Sequence, residues 1–214
     1  MTEIIVIRHG ETDWNAERRM QGFIDIALNS AGQRQASLLA TALQSEAFDR
    51  IIASDLQRAV ATAQAIASPR GVPLLTDPQL RERCFGAFEG LRYDEINLHY
   101  PGEHAAWLAR QVDARYPPGR HPAETLREFY ARSVAAVIGH AQQNAGKRIA
   151  IVTHGGVLDC LYRCSTGMAL EKQRAVEIRN ASVNRFVWNG RDLQLTLWGD
   201  VAHLSQPALD EHLP

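Results

Sequence analysis

Two short runs rich in β-branched residues, each followed two residues on by a histidine and then glycine, constrain this chain more than any other feature. Glu3 to Ile7 (EIIVI) runs into Arg8-His9-Gly10, and Lys147 to Val152 (KRIAIV) runs into Thr153-His154-Gly155-Gly156. A β-branched run without polar alternation belongs to a strand covered on both faces, and such strands sit in parallel sheets flanked by helices. The chain between them supplies the covering segments. Ser30 can cap a helix from about Ala31 to Glu46 with Ala36, Leu38, Leu39, Ala42 and Leu43 on its apolar side, and Arg50 to Ala53 (RIIA) then returns as a strand. Ser54 or Asp55 can cap a further helix through Ala67, closed by Ser68-Pro69 and Gly71, and Val72 to Leu75 is a candidate third strand. Glu124 to Gln143 reads as helix, and so does the segment from Val157 to Cys164. Val183 to Trp188 and Leu193 to Trp198 flank Asn189-Gly190, a pair that tolerates the positive φ of a tight hairpin. The tail after Leu204, with Pro207 and Pro214, is expected to fray. This alternation predicts an α/β fold, a mostly parallel central sheet with helices on both faces.

Residues 1–214 read as a single domain of a size that can bury one continuous core. Its pattern breaks at about 76–123, where Pro78, Gly86, Gly90, Pro101, Gly102, Pro117, Pro118, Gly119 and Pro122 punctuate short helical pieces at Tyr93–Tyr100 and Glu103–Ala114. An insertion of this kind covers either a substrate or the sheet. The net charge of −1 offers no broad attraction for nucleic acid or an acidic membrane, so anion binding must come from local arginines and histidines. The apolar run near the N-terminus is too short for a signal sequence or a membrane span, which makes the cytoplasm the expected location. Cys84, Cys160 and Cys164 form no CxxC pair and suggest packing rather than a disulfide or a zinc site.

Ligands of parallel sheets bind beyond the C-terminal strand ends. That rule gathers Arg8 and His9 after the first strand, Ser54 and Arg58 after the second, and His154 after the strand ending at Val152. Two histidines and two arginines suit a dianion such as phosphate, to which helix N-termini after residues 54 and 155 add backbone N–H groups. Phosphoryl transfer then needs a nucleophile and a proton donor for the leaving oxygen, parts that His9 and Glu82 can fill. Taken singly, each residue also has a blander reading, as a loop histidine or a solvated arginine.

The run Arg8 to Asn15 (RHGETDWN) resembles the N-terminal signature of the histidine phosphatase superfamily, the phosphoglycerate mutase-like family. The resemblance extends from residue 4 to about 204 through Gln21-Gly22, Asp25, Leu28-Asn29 and Gly32, then Ser54 to Ala59 with Thr62-Ala63. It continues through Leu80-Arg81-Glu82 with Gly86 and Glu89-Gly90, Val152 to Gly156, and Asp200 with Ala202-His203-Leu204. It implies the three-layer sandwich of phosphoglycerate mutase-like proteins. It also implies that His9 attacks phosphorus through one ring nitrogen while its other N–H rests on the Gly10 carbonyl, giving a phosphohistidine. Arg8, Arg58 and His154, with Asn15, would hold the phosphoryl oxygens; Glu82 would protonate the leaving group and later activate water. No metal or other cofactor is implied. Thr12 is a candidate to support the phosphate loop and the Gly155 N–H to bind an oxygen. Gln21, Gly22 and Phe23 either face the leaving group or only shape their loop. Asp200 and His203 are expected at strand-end contacts, and Trp14 in packing.

The family divides between phosphatases and mutases. Glycolytic mutases carry a substrate-contacting Tyr three residues and a Lys eleven residues after the acidic Glu, positions held here by Phe85 and Tyr93. No adjacent arginine pair occurs in the insertion, and His121-Pro122-Ala123 stands where many members have a glycine-rich turn. The expectation is therefore a metal-independent phosphomonoesterase acting on a small phosphorylated metabolite, with a 2,3-bisphosphoglycerate-dependent phosphoglycerate mutase as the alternative. A catalytically idle phosphate-binding protein comes third, and a homodimer stays open.

Overall fold

A computed structural model describes residues 1–204 and 206–210. Strands β1 (Thr2–Arg8), β2 (Arg50–Ala53), β3 (Leu74–Thr76), β4 (Arg148–Thr153), β5 (Val183–Trp188) and β6 (Leu193–Asp200) form one six-stranded sheet in the order β3-β2-β4-β1-β5-β6. The first four in that order run parallel, and the β5–β6 hairpin adds two antiparallel strands beside β1. Alternate residues of the apolar runs face opposite sides. Ile5, Ile7, Ile51 and Val152 pack with Leu39 of α2 (Ser30–Ala42) and with Ala63 and Ile66 of α3 (Gln57–Ala67). Ile4, Val6, Ile52 and Ile151 pack with Phe129 and Val137 of α6 (Leu126–Gln143) and Leu158 and Leu161 of α7 (Gly155–Thr166). Burying one such side chain contributes about 1.5–3 kcal/mol. Both faces are filled, which is why the strands lack polar alternation.

The insertion contains α4 (Tyr93–His99) and α5 (Pro101–Leu108), while a further short helix, α1 (Asp13–Ala16), follows β1. Phe85, Phe88, Ile96, Trp107, Tyr116 and Ala123 of the insertion form an apolar cluster with Met20 from the N-terminal segment, and Phe88 stacks on Tyr116 at 4.4 Å. The α5 helix ends earlier than its sequence pattern suggests, and Arg110, at a φ of +48°, leaves helical geometry altogether.

Several boundaries differ from the sequence reading for identifiable reasons. Asn29, not Ser30, caps α2: its Oδ1 accepts from Gly32 N at 2.8 Å while its amide donates to Glu11. The α2 helix stops at Ala42 rather than near Glu46. Neither Ser54 nor Asp55 caps α3, because Asp55 is held by Arg81 at 2.7 and 2.6 Å and Asp25 accepts from Gln57 N instead. The α6 helix starts at Leu126 behind a Thr125–Glu128 capping box. The α7 helix starts at Gly155, two residues before Val157, with His154 at its N-cap. The tail does not simply fray, since Leu209 accepts from Asn180 N at 2.9 Å and Asp210 from Ile178 N at 2.6 Å; residue 205 and residues 211–214 lie outside the described residues. Among the described residues no helix is long and apolar enough to cross a membrane.

Candidate active site

The parallel register pairs Arg8 with Thr153 and Ala53 with Val152, so three strand ends open on one edge of the sheet. His9 and His154 follow two of them, with ring centroids 5.1 Å apart. His9 Nδ1 lies 2.7 Å from the Gly10 carbonyl. A carbonyl only accepts, so Nδ1 carries the proton and Nε2 keeps a lone pair. His154 Nε2 shares a 2.8 Å hydrogen bond with Ser54 Oγ, while its Nδ1 is buried without a protein partner. Arg58, in the first turn of α3, is 1% exposed and donates to the carbonyls of Ile24 and Gly22 at 2.9 Å each. Arg8 donates to the Ile178 carbonyl at 2.6 Å and to that of Leu209 at 3.3 Å.

Burial, followed by the charges of Arg58 and Arg8, pushes the His9 imidazole well below its ordinary range, against a smaller upward pull from Gly10. Burial, then Arg58, His9 and Arg8, does the same to His154. Both rings are neutral in the folded protein at neutral pH. An unfolded histidine titrates near 6.5, so below that pH the unfolded chain binds protons that the fold refuses. Stability is thus full above pH 6.5 and falls as the pH drops, by up to about 1.4 kcal/mol per pH unit for each ring. Urea unfolding at neutral and mildly acidic pH tests this; an invariant midpoint contradicts it.

Glu82 reaches the same edge from the start of the insertion and is 6% exposed. Its Oε1 accepts from Arg83 N at 2.8 Å and its Oε2 from Gly156 N at 2.9 Å. The segment that carries it is clamped by α6. Arg132 donates to the carbonyls of Gln79, Arg81 and Glu82 at 2.7, 3.1 and 3.1 Å, and is itself held by Glu124, which also accepts from Cys84 N. A Cβ on Gly156 would stand 2.1 Å from Glu82 Oε1 and 3.0 Å from Phe129. Gly156→Ala therefore displaces the carboxylate, and turnover is expected to fall about 10²-fold with the fold intact, as kcat and a melting curve would reveal.

Residues 4–201 match the sequence profile of the histidine phosphatase superfamily, branch 1. The chain belongs to that superfamily. The chain is 40% identical over 207 residues to phosphoglycerate mutase-like protein 4 of Arabidopsis thaliana, covering 95% of this chain and 87% of the relative. It superposes on YhfR of Bacillus stearothermophilus with a TM-score of 0.87 at 32% identity, over 95% of this chain and 99% of the other. A phosphoserine phosphatase from Entamoeba histolytica, solved with phosphoserine, gives a TM-score of 0.80 at 26% identity, over 95% of this chain and 100% of the other.

In this superfamily member a narrow cleft brings together His9, Arg58, Glu82, Asn15, Gln21 and Gly22. Phe23 does not line it, and its ring centroid lies 5.1 Å from the Arg81 guanidinium and 5.9 Å from that of Arg132. Thr12 is fully buried and forms a capping box with Asn15, whose side-chain oxygen accepts from Thr12 N at 3.1 Å. Gly155 opens α7 beside His154. Asp200 accepts from Ala202 N at the end of β6, and His203 is half-buried. Arg19, Met20, Phe85 and Tyr93 complete the cleft, and of these Arg19 and Met20 carried no sequence signal. Glu89 was visible only as part of a motif. Its Oε1 accepts from Phe23 N and Phe85 N at 3.0 Å each, joining the loop that holds Arg58 to the segment that holds Glu82.

Proposed function

We propose that this chain is a phosphomonoesterase that works through a phosphohistidine on a small phosphorylated metabolite. One observation carries the reading: the Gly10 carbonyl fixes the proton on His9 Nδ1, so Nε2 presents its lone pair to a cleft that also contains Arg58 and Glu82. Nε2 attacks phosphorus, the bond to the leaving oxygen breaks, and Glu82 donates its proton to that oxygen. The Glu82 carboxylate then takes a proton from water as the water oxygen attacks phosphorus, the P–N bond breaks, and His9 returns to neutrality.

Arg8, Arg58 and Asn15 hold the phosphoryl oxygens, most strongly when charge spreads over them in the transition state. Ser54 Oγ accepts from Leu56 N and still has its O–H to offer to His154 Nε2; in that arrangement the proton of His154 sits on Nδ1, which has no protein partner and is left to donate to the same oxygens. The Gly155 N–H adds a donor, and Thr12 steadies Asn15. A cationic cluster of this kind takes the electrostatic part that a metal plays elsewhere. The phosphoserine phosphatase among the structural relatives supports hydrolysis. Phe85 and Tyr93, at the positions where glycolytic mutases carry Tyr and Lys, support it as well.

The test is release of phosphate from p-nitrophenyl phosphate in EDTA, with vanadate as a competitive inhibitor; dependence on an added divalent cation contradicts the mechanism. The relative named phosphoglycerate mutase-like keeps mutase activity as a second reading. Interconversion of phosphoglycerates that requires 2,3-bisphosphoglycerate and outpaces phosphate release would establish it.

A further inference from the structure

Glu82 is delivered by a stretch with no ladder of its own: β3 ends at Thr76, a single turn spans Pro78–Leu80, and Glu82 itself lies in neither a helix nor a strand. The carbonyls of four consecutive residues are nevertheless all held. Arg132 takes those of Gln79, Arg81 and Glu82, and Thr153 Oγ1 donates to that of Leu80 at 2.7 Å. Before the turn, Asp77 Oδ1 accepts from Gln79 N at 2.8 Å, and its Oδ2 lies 2.7 Å from His140 Nε2 of α6. Beyond Glu82, the Glu124 carboxylate that seats Arg132 at 2.7 and 2.8 Å also accepts from Cys84 N at 2.9 Å. Arg132 makes five hydrogen bonds here, one for each guanidinium N–H, and every one of them goes to this stretch or to Glu124.

We propose that Arg132, seated by Glu124, is the positioning residue of the proton donor: it sets where the Glu82 carboxyl stands and acts through the backbone alone. The assignment rests on the phosphatase reading and deepens it. Arg132 does not line the cleft of His9, so it has no direct part in holding the phosphoryl group. What it fixes is the root of the Glu82 side chain, while Arg83 N and Gly156 N fix the carboxylate at its tip. A proton donor carried on irregular backbone needs such support, because a shift of about 1 Å at a reacting group costs about 10²-fold in rate. Lysine cannot do the same work. Its compact ammonium has three donors and no planar fork, so it cannot span three carbonyls and both oxygens of Glu124.

The experiment is a double-mutant cycle read as kcat/KM on two esters, glycerol 2-phosphate and p-nitrophenyl phosphate. Arg132→Lys is expected to lower kcat/KM on glycerol 2-phosphate by about 10²-fold. On p-nitrophenyl phosphate, whose leaving group departs without a proton, the loss is expected to stay within about threefold. Added to Glu82→Gln, the same change is expected to cost less than about twofold more on glycerol 2-phosphate, because the donor whose place it sets is already gone. A merely structural arginine gives equal losses on both esters and the same loss with or without the Glu82 carboxyl; either result overturns the positioning role and leaves the phosphatase standing. If Arg132→Lys does not fold, Glu124→Gln, which keeps the guanidinium and loosens its seat, takes its place in the cycle, and failure of both to fold also overturns the role. No turnover of either ester by the unaltered protein, together with no vanadate binding, overturns the phosphatase reading itself.

Discussion

Replacing His9 with alanine is expected to lower phosphatase turnover by about 10⁴-fold or more, the scale on which loss of a nucleophile acts. No neighbour can substitute. His154 is pinned through Nε2 to Ser54, and the arginines carry no lone pair. The fold should survive, because the His9 backbone N–H that bonds Thr153 O at 2.9 Å is untouched by the change. Rapid quench into alkaline detergent after mixing with radiolabelled ester measures the consequence directly: the unaltered protein traps a base-stable, acid-labile phosphoenzyme and the variant traps none. Turnover within about tenfold of the unaltered protein would remove His9 from the chemistry.

Glu82→Gln is expected to act differently on different esters. The amide keeps the shape of the side chain but cannot give up a proton, so kcat/KM on alkyl phosphates should drop by about 10²–10⁴-fold. With p-nitrophenyl phosphate the leaving group departs as a stable anion and the first step should be nearly spared. The second step still lacks its base, so the phosphoenzyme should accumulate after a burst. A steady-state loss of the same size for every leaving group, with no burst, would place the acid elsewhere.

The positions of His9, His154 and Arg58 could be read from the chain because each follows a buried strand within a few residues, and the sheet rule then collects them on one edge. The α/β architecture was legible for the same reason. What could not be read was the set of contacts between distant segments. Arg132 looks like a surface residue of a helix until the segment 79–82 is laid across it. The return of Leu209 to Arg8 leaves no local pattern either, because the contact spans almost the whole chain. Helix ends were displaced where a side chain found a stronger partner than its own helix, as Asp55 did in Arg81. Asp159 is the extreme case: it sits on α7 as an ordinary acidic residue, and only the fold of the insertion brings Arg110 to it.

Because β1 and β4 are adjacent and in register, the distance between the two histidine rings is inherited from the repeat between neighbouring strands, about 4.8 Å, and not from any loop. The reacting half of the molecule is in that sense a crystal-like lattice, while Phe85, Trp107 and Tyr116 belong to a separately packed cap. A lineage could exchange the cap for another that keeps the Glu89 carboxylate joining it to the loop of Arg58 and the segment of Glu82. Transplanting residues 83–123 from a relative should transfer its substrate preference to this chain, while the rate of phosphohistidine hydrolysis stays with the host.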